Sequence, residues 1–350
     1  MEEQAVLDFL MKVADDAASA AGGLSVAIGD RLGLYQAMAG SGPMTAAGLA
    51  ERTGLVERYI EEWLAVQAGL GYVEYDPSGR TFTLPEEHAA VLADENSETF
   101  LAGVFPVLRS IYATEDRLIN AFRVGGGVGW DEHSDPLYRG TARLFRPGYR
   151  ANIVENWLPA LDGMVDKLRA GARVGDIGCG FGYSTIIMAR AFPKSTFVGI
   201  DYHALSVDAA GKAAAEAGVA DRVTFEVAGG TNFRGTDFDL VTSFDCLHDM
   251  GDPTGVARRI RQALKDDGTW MLVEPAASGR LEENFNPIGR FFLAASLTIC
   301  LPSAMAQHGS LALGNHAGED AVRAVAMDAG FSRWRKVAEN PVNVVYEARP

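Results

Sequence analysis

Between Glu2 and Ala21 the apolar residues Val6, Phe9, Leu10 and Val13 recur at helical spacing, and a second helical pattern runs from Leu24 to Met38 until Gly40-Ser41-Gly42-Pro43 ends it. Thr45 stands as an N-cap before a short helix that Gly54 closes, and Ile60, Leu64 and Val66 mark another from Glu57 to Ala68. Tyr72 to Tyr75 and Arg80 to Leu84, joined by Asp76-Pro77-Ser78-Gly79, read as a hairpin. Helices followed by a hairpin in this order predict a winged helix. Beyond it, Phe100, Val104, Leu108, Ile111, Leu118 and Phe122 keep a helical period up to the loop Gly125 to Gly129, so residues 93–170 are expected to form a helical connector or cap.

From Gly171 the period changes. Short apolar runs at Arg173–Ile177, Thr196–Ile200, Arg222–Val227, Phe238–Phe244 and Thr269–Glu274 read as strands, with a turn at Lys265–Gly268 before the fifth. Helical stretches separate the first three, the alternation of a parallel sheet covered on both faces. The chain then carries an insertion from Ala276 to Gly318, a helix from Glu319 to Ala329, and two strand-like runs around Asn340-Pro341 that predict a terminal antiparallel hairpin. The insertion is rich in Phe285, Ile288, Phe291, Phe292, Leu297 and Met305 and suits a helical lid over an apolar acceptor.

The chemistry concentrates in Arg173 to Ser184, RVGDIGCGFGYS, where a strand delivers an acid into alternating glycines that open a helix. Glycine at 178, 180 and 182 permits positive φ and lets a ligand approach bare main chain. A dinucleotide, a nucleotide ligand with a cationic group, or a structural corner with no ligand all fit such a turn, but Asp176 just ahead of the glycines suits a cation and would repel a pyrophosphate. Asp201 ends the next strand, where an acid accepts hydrogen bonds from both ribose hydroxyls.

This acid-x-Gly-x-Gly-x-Gly turn resembles motif I of the class I S-adenosylmethionine (SAM) methyltransferases. The resemblance implies an α/β fold, a Rossmann-like sheet with an antiparallel last strand, with the winged helix (1–92) ahead of the SAM-binding domain (93–350). It implies SAM as cofactor, held by Asp176, Gly178, Cys179, Gly180, Gly182, Asp201, Tyr202, Gly229, Phe244 and Tyr149. The turn Ala228-Gly229-Gly230 lacks the acid that many of these enzymes use on adenine, so backbone groups and Tyr202 are expected there. Arg146 and Arg150 are candidates for the cofactor carboxylate, and Trp130, Tyr138, Phe145 and Tyr149 could shield a sulfonium. The run Leu247-His248-Asp249-Met250 resembles the His-Asp-Trp stretch of hydroxyl-directed small-molecule O-methyltransferases, with Met250 in place of Trp. It implies His248 as general base, with a packing role for the histidine as the alternative; Glu282 or Glu283 could orient the imidazole, against the reading of the two as a solvated acidic pair. O-methylation of a small apolar molecule is the leading expectation; carbon or nitrogen methylation by proximity, or a SAM-binding regulator without turnover, are the others.

Composition narrows the partners. The formal charge of -15 and the acidic helix Glu57 to Ala68, with Glu57, Glu61 and Glu62 against Arg58, leave no phosphate-neutralising stripe, so nucleic acid is not expected. In small-molecule methyltransferases the same module serves for dimerisation, which implies a homodimer through the N-terminal domain. Cys179, Cys246 and Cys300 have no paired spacing, and with no signal peptide apparent a reducing cytoplasm is expected. The apolar run Phe291–Met305 is shorter than the ~20 residues of a spanning helix and contains Pro302, so no membrane association is expected. His308 and His316 lack an accompanying ligand pattern, and no metal is expected.

Overall fold

The computed structural model describes residues 2–307, 309 and 311–350. The chain divides into two compact units, one made of 1–110 with 139–147 and the other of 111–138 with 148–350.

The first unit opens on α1 (Glu3–Arg31), followed by α2 (Leu34–Met38), α3 (Ala46–Thr53), α4 (Glu57–Gly69) and the wing strands β1 (Glu74–Asp76) and β2 (Thr81–Thr83). The two helices expected over 2–38 are thus one long helix that breaks only at Leu32-Gly33, where Gly33 takes φ +70°. Gly22-Gly23 does not interrupt it because tertiary packing outweighs glycine's low helix propensity. A Cβ at Gly22 would lie 2.5 Å from Leu70, and one at Gly29 would lie 2.5 Å from Trp63. Thr45 caps α3 by accepting from the Gly48 amide at 3.1 Å, and Gly54 ends it at φ +70°, both as read from sequence. Tyr35, Leu49, Trp63 and Leu64 fill the core, tied by Tyr35 Oη donating to Gln67 at 2.6 Å.

The second unit is built on a seven-stranded sheet: β3 (Arg173–Ile177), β4 (Thr196–Asp201), β5 (Val223–Val227), β6 (Phe238–Phe244), β7 (Leu264–Pro275), β8 (Arg333–Glu339) and β9 (Asn343–Arg349). Their order is β5-β4-β3-β6-β7-β9-β8, with β9 antiparallel to both neighbours and the other pairings parallel. The turn expected at Lys265–Gly268 lies inside β7: the β6 register jumps from Phe238↔Leu264 to Leu240↔Thr269, and the intervening residues form an irregularity in the strand. Asn340 shapes the last hairpin by accepting from the amides of Val342 and Asn343. A helix over Pro253–Ala263, unmarked in the sequence reading, starts on Asp252, which accepts from the Gly255 amide at 2.8 Å.

The insertion is helical from Leu281 to Ala306. Its helical run Pro287–Ala306 has 20 residues and a mean hydropathy of 1.5, long and apolar enough by those measures to cross a membrane. The length argument against a span therefore fails, because a π turn at Ser296–Cys300 absorbs Pro302 at the start of the next helical turn instead of ending the helix. Half of the run is buried inside the fold, as in a core helix.

Candidate functional site

In an open sheet of this order the chain reverses direction between β3 and β6, and ligands bind outside the carboxyl ends of the strands at that point. Most of the predicted cofactor residues meet there, at or just beyond the carboxyl ends of β3 to β6; Tyr149 comes instead from the helix Asp135–Asn152. β3 ends in Ile177, and the turn behind it is held by the amides of Gly178 and Cys179, both donating to the Ile200 carbonyl at 2.8 and 3.1 Å. Gly178, Gly180 and Gly182 all take positive φ, at 76°, 51° and 75°.

The three glycines do different work. A Cβ at Gly178 would meet Cys246 Sγ at 2.6 Å, and one at Gly182 would meet the Phe225 ring at 2.7 Å, so both are small because the protein packs against them. A Cβ at Gly180 meets nothing within 4 Å. Open space at a glycine whose neighbours are packed is where a ligand can approach main chain.

Two acids anchor this turn. Asp176 is buried and accepts from Ser184 Oγ and Thr185 Oγ1 at 2.7 and 2.6 Å, and from Thr242 Oγ1 at 2.9 Å. Burial raises its pKa, the three hydroxyls oppose that rise, and Asp201 adds to it. Asp201 accepts one backbone bond on each oxygen, from Gly180 N and His203 N, both at 2.9 Å, leaving a lone pair on each for vicinal hydroxyls. Its pKa is likewise raised by burial, against the backbone hydrogen bonds.

Tyr202 follows, half-exposed, with its phenol pushed upward by burial and then by Asp131 and Asp201. His203, which sequence reasoning passed over, packs against Tyr138 in a tilted pair at 4.3 Å between ring centroids, and Tyr138 against Trp130 at 5.6 Å, also tilted. Gly229 sits partly exposed in a turn where Asn232 accepts from its amide at 3.0 Å. Cys179 is buried, with its thiol pKa raised by burial and then by Asp201 and Asp176. Phe244 packs against Tyr149 and Trp157 at 5.2 and 6.2 Å, those two rings also meeting each other at 6.1 Å, and Tyr149 Oη donates to Asp245 at 2.7 Å. Arg146 pairs with Glu95 inside the first unit, and Arg150 is exposed. His308 lies outside the described residues; His316 is in the segment after the insertion's helices.

Behind β6 the short turn Leu247–Asp249 presents His248, which is buried. Its Nδ1 lies 2.6 Å from Glu274 Oε2, and Glu274 Oε1 accepts from the Leu247 amide at 3.1 Å, so one carboxylate fixes both ring and turn. Glu274 takes the orienting role considered for Glu282 or Glu283, which are surface residues pairing with Arg280, as the solvated-pair reading has them. Glu274 ends β7 beside β6, and an acid closing an otherwise apolar strand, LVEP, was the available signal. Nε2 of His248 stands 3.3 Å from Asp249 Oδ1. Burial alone would lower the imidazole pKa, but the charges of Glu274 and Asp249, with Cys300, outweigh it and raise it well above 6.5. Among the described residues, His248, Asp249 and Cys300 form a group able to hold a metal ion.

Asp245, also unread in the sequence, follows β6 in a left-handed conformation at φ +49°. Its two oxygens accept from Tyr149 Oη and Asn343 Nδ2 at 2.7 and 2.8 Å. Burial pushes its pKa up to about 7, with Glu274 adding to the rise against those two hydrogen bonds. An acid held above its unfolded value of 3.8 keeps a proton in the folded chain that the unfolded chain has released. Its contribution is therefore complete at or below the unfolded pKa and is lost as pH rises from about 4 to about 7. In Asp245→Asn the amide can donate to Tyr149 and accept from Asn343. Thermal denaturation should show the wild type losing more stability than this variant between pH 5 and 8; parallel curves would refute it.

Residues 20–94 match the family described as Rv2258c-like winged HTH domain, and residues 168–296 match the one described as Methyltransferase domain. A curated relative, 27-O-demethylrifamycin SV methyltransferase of Amycolatopsis mediterranei, is 36% identical over 145 residues, which is 41% of this chain and 48% of that protein. The chain thus matches about half the length of that relative. Among solved structures, mitomycin 7-O-methyltransferase superposes with a TM-score of 0.72 at 19% identity over all of both chains. Human N-acetylserotonin methyltransferase, in complex with SAM, gives 0.69 at 16% identity over 100% of this chain and 98% of that one. An O-methyltransferase family protein from Burkholderia thailandensis gives 0.68 at 19%, covering 98% of each. At these identities the structures establish the shared fold.

Proposed function

We propose that this chain, which carries a winged helix-turn-helix domain followed by a methyltransferase domain, transfers the methyl group of SAM to a hydroxyl of a small, apolar molecule. The observation that carries the reading is the buried His248–Glu274 pair at the same strand edge as the glycine turn and Asp201. SAM, once bound, supplies an activated methyl on a sulfonium. The chain's residues supply the rest. Asp201 holds the ribose hydroxyls, the bare main chain at Gly180 lets the cofactor approach, and Phe244, Tyr149 and Tyr202 offer ring faces and edges around it, with Asp176, Gly178, Cys179, Gly182 and Gly229 shaping the turns. A hydroxyl must give up its proton as the methyl arrives, and a phenol of pKa ~10 is mostly protonated at neutral pH. Glu274 fixes His248 through Nδ1 and leaves Nε2 to take that proton.

The acceptor's apolar character is supported by Leu297, Leu301 and Met305, exposed at four-residue intervals on the helical insertion, together with exposed Phe285 and Ile288. We assign the winged helix to residues 1–92 and the methyl-transfer domain to 93–350, and expect a cytoplasmic enzyme. Transfer from SAM labelled in its methyl group tests the function. The label should appear on oxygen of a phenolic or polyketide acceptor; SAM binding with no labelled product from any acceptor class would favour a regulator.

A homodimer through the N-terminal unit follows from α1. Val6, Phe9, Leu10, Met11 and Val13 are all exposed, Phe9 and Met11 by 66%, along a helix whose first five turns touch little of their own unit. So continuous an apolar surface is atypical of a monomer. Light scattering at micromolar concentration should give twice the mass of the chain, and Phe9→Glu with Leu10→Glu should give the monomer. A monomeric wild type would contradict this assembly.

A further inference from the structure

We propose that His248, Asp249 and Cys300 form a zinc site whose occupation arrests methyl transfer. The ligand atoms of the three residues lie within 4.8 Å of one another. They come from two turns brought together by the fold, Leu247–Asp249 after β6 and the π turn Ser296–Cys300 in the insertion. His248 and Cys300 are buried, and the Asp249 side chain is 21% exposed.

Four features favour a metal over incidental packing. In a tetrahedral zinc site, ligands about 2.0 Å from the metal stand about 3.3 Å apart, with sulfur slightly further at a bond of about 2.3 Å. The separation between His248 Nε2 and Asp249 Oδ1 is already 3.3 Å, and Cys300 Sγ lies within 4.8 Å of both, so it would move inward by at most about 1.3 Å to reach the ~3.5 Å of a sulfur ligand. Glu274 bonds the opposite ring nitrogen at 2.6 Å, the carboxylate–histidine arrangement that fixes a metal-binding imidazole. The Asp249 carboxylate already faces both other ligands, its Oδ1 3.3 Å from His248 Nε2 and with Cys300 bonded to the same group, so a cation would take over contacts that converge on one point. The donor set of imidazole, carboxylate and thiol suits zinc or cobalt and is too soft for magnesium or calcium.

Binding is balanced by proton release. The Cys300 Sγ–H proton leaves for solvent as the thiolate ligates, and any proton on Nε2 leaves with it. The ion then occupies the nitrogen lone pair that the proposed reaction uses, so it blocks proton uptake while the turn carrying Gly180 and Asp201 stays free. A zinc-loaded chain should bind SAM and fail to transfer. The site itself rests on geometry alone; its inhibitory effect rests on His248 as base.

Cobalt replaces zinc in such a site and reports its ligands. One equivalent added to the metal-free full chain should produce the intense visible bands of a tetrahedral site and a near-ultraviolet thiolate-to-cobalt charge-transfer band. The charge-transfer band should vanish in Cys300→Ala and persist in Cys179→Ala and Cys246→Ala. Changes outside the ligand shell alone cost ~10- to 100-fold in affinity, so Cys300→Ala and, as a second variant, Asp249→Asn should each weaken zinc inhibition by at least about 100-fold, each normalised to its own metal-free rate. No thiolate band in the wild type, or a band that survives Cys300→Ala, overturns the site. A band in the wild type with an undiminished transfer rate leaves the site standing and overturns His248 as the base.

Discussion

His248→Ala is expected to lower kcat by about 10²- to 10⁴-fold while leaving SAM affinity nearly unchanged. The direction follows from separation of tasks. Asp201 and the glycine turn belong to β3 and β4, whereas His248 is held by β6 and β7 through Glu274. Glu274→Gln should approach the same loss, because an amide that donates to Nδ1 would turn the ring to the wrong tautomer and leave Nε2 protonated. The two residues act as a unit, so the double variant should be little slower than either single one, and additive losses would refute that coupling. If His248→Ala keeps near-full turnover on a true acceptor, the imidazole is a packing residue and the transfer depends on proximity. Glu274→Gln also tests folding, since the Leu247 amide keeps its acceptor in the amide oxygen.

The second large effect concerns the cofactor. Asp201→Ala removes the acceptor of the Gly180 and His203 amides along with the two lone pairs assigned to ribose. Hydrogen bonds to a charged acceptor contribute about 1.5–3 kcal/mol each, so SAM affinity should fall by about 10²-fold or more. Gly180→Ala and Gly182→Ala separate binding from folding. Both positions have positive φ, which costs an alanine roughly 1–2 kcal/mol. Only at Gly182 does the added methyl also strike protein, at Phe225 and Ala210. Gly182→Ala should therefore lose more thermal stability, and Gly180→Ala should lose the larger share of SAM affinity relative to its stability loss. Equal effects of the two on stability and on binding would contradict the division of roles.

The sheet was legible in the sequence because strand and helix alternate with hard punctuation, and the terminal hairpin because Asn340-Pro341 can only turn. The helix boundary at Gly22-Gly23 was misread because glycine there serves packing: Gly22 looks like a break until Leu70, far along the chain, is seen lying against it. Most of the cofactor candidates stand out in the sequence because they lie at or just beyond the end of a strand; Tyr149, on the helix Asp135–Asn152, does not. Glu274 was not legible, because it stands 26 residues after His248 and only the parallel pairing of β6 with β7 brings the two together. Asp245, Asn343 and Cys300 escaped for the same reason, being ordinary residues until the strand ends converge. Glu282 and Glu283, further along the chain than Glu274, stand out as an acidic pair early in the insertion, yet both pair with Arg280 at the surface.

Calorimetric titration of the wild-type chain with SAM, against a parallel titration with NAD, tests the central assignment of the glycine turn and Asp201 most directly. One SAM bound per chain, weakened in Asp201→Ala and with no heat from NAD, is the predicted result. Preferential binding of NAD, or SAM affinity unaltered by Asp201→Ala, would contradict it.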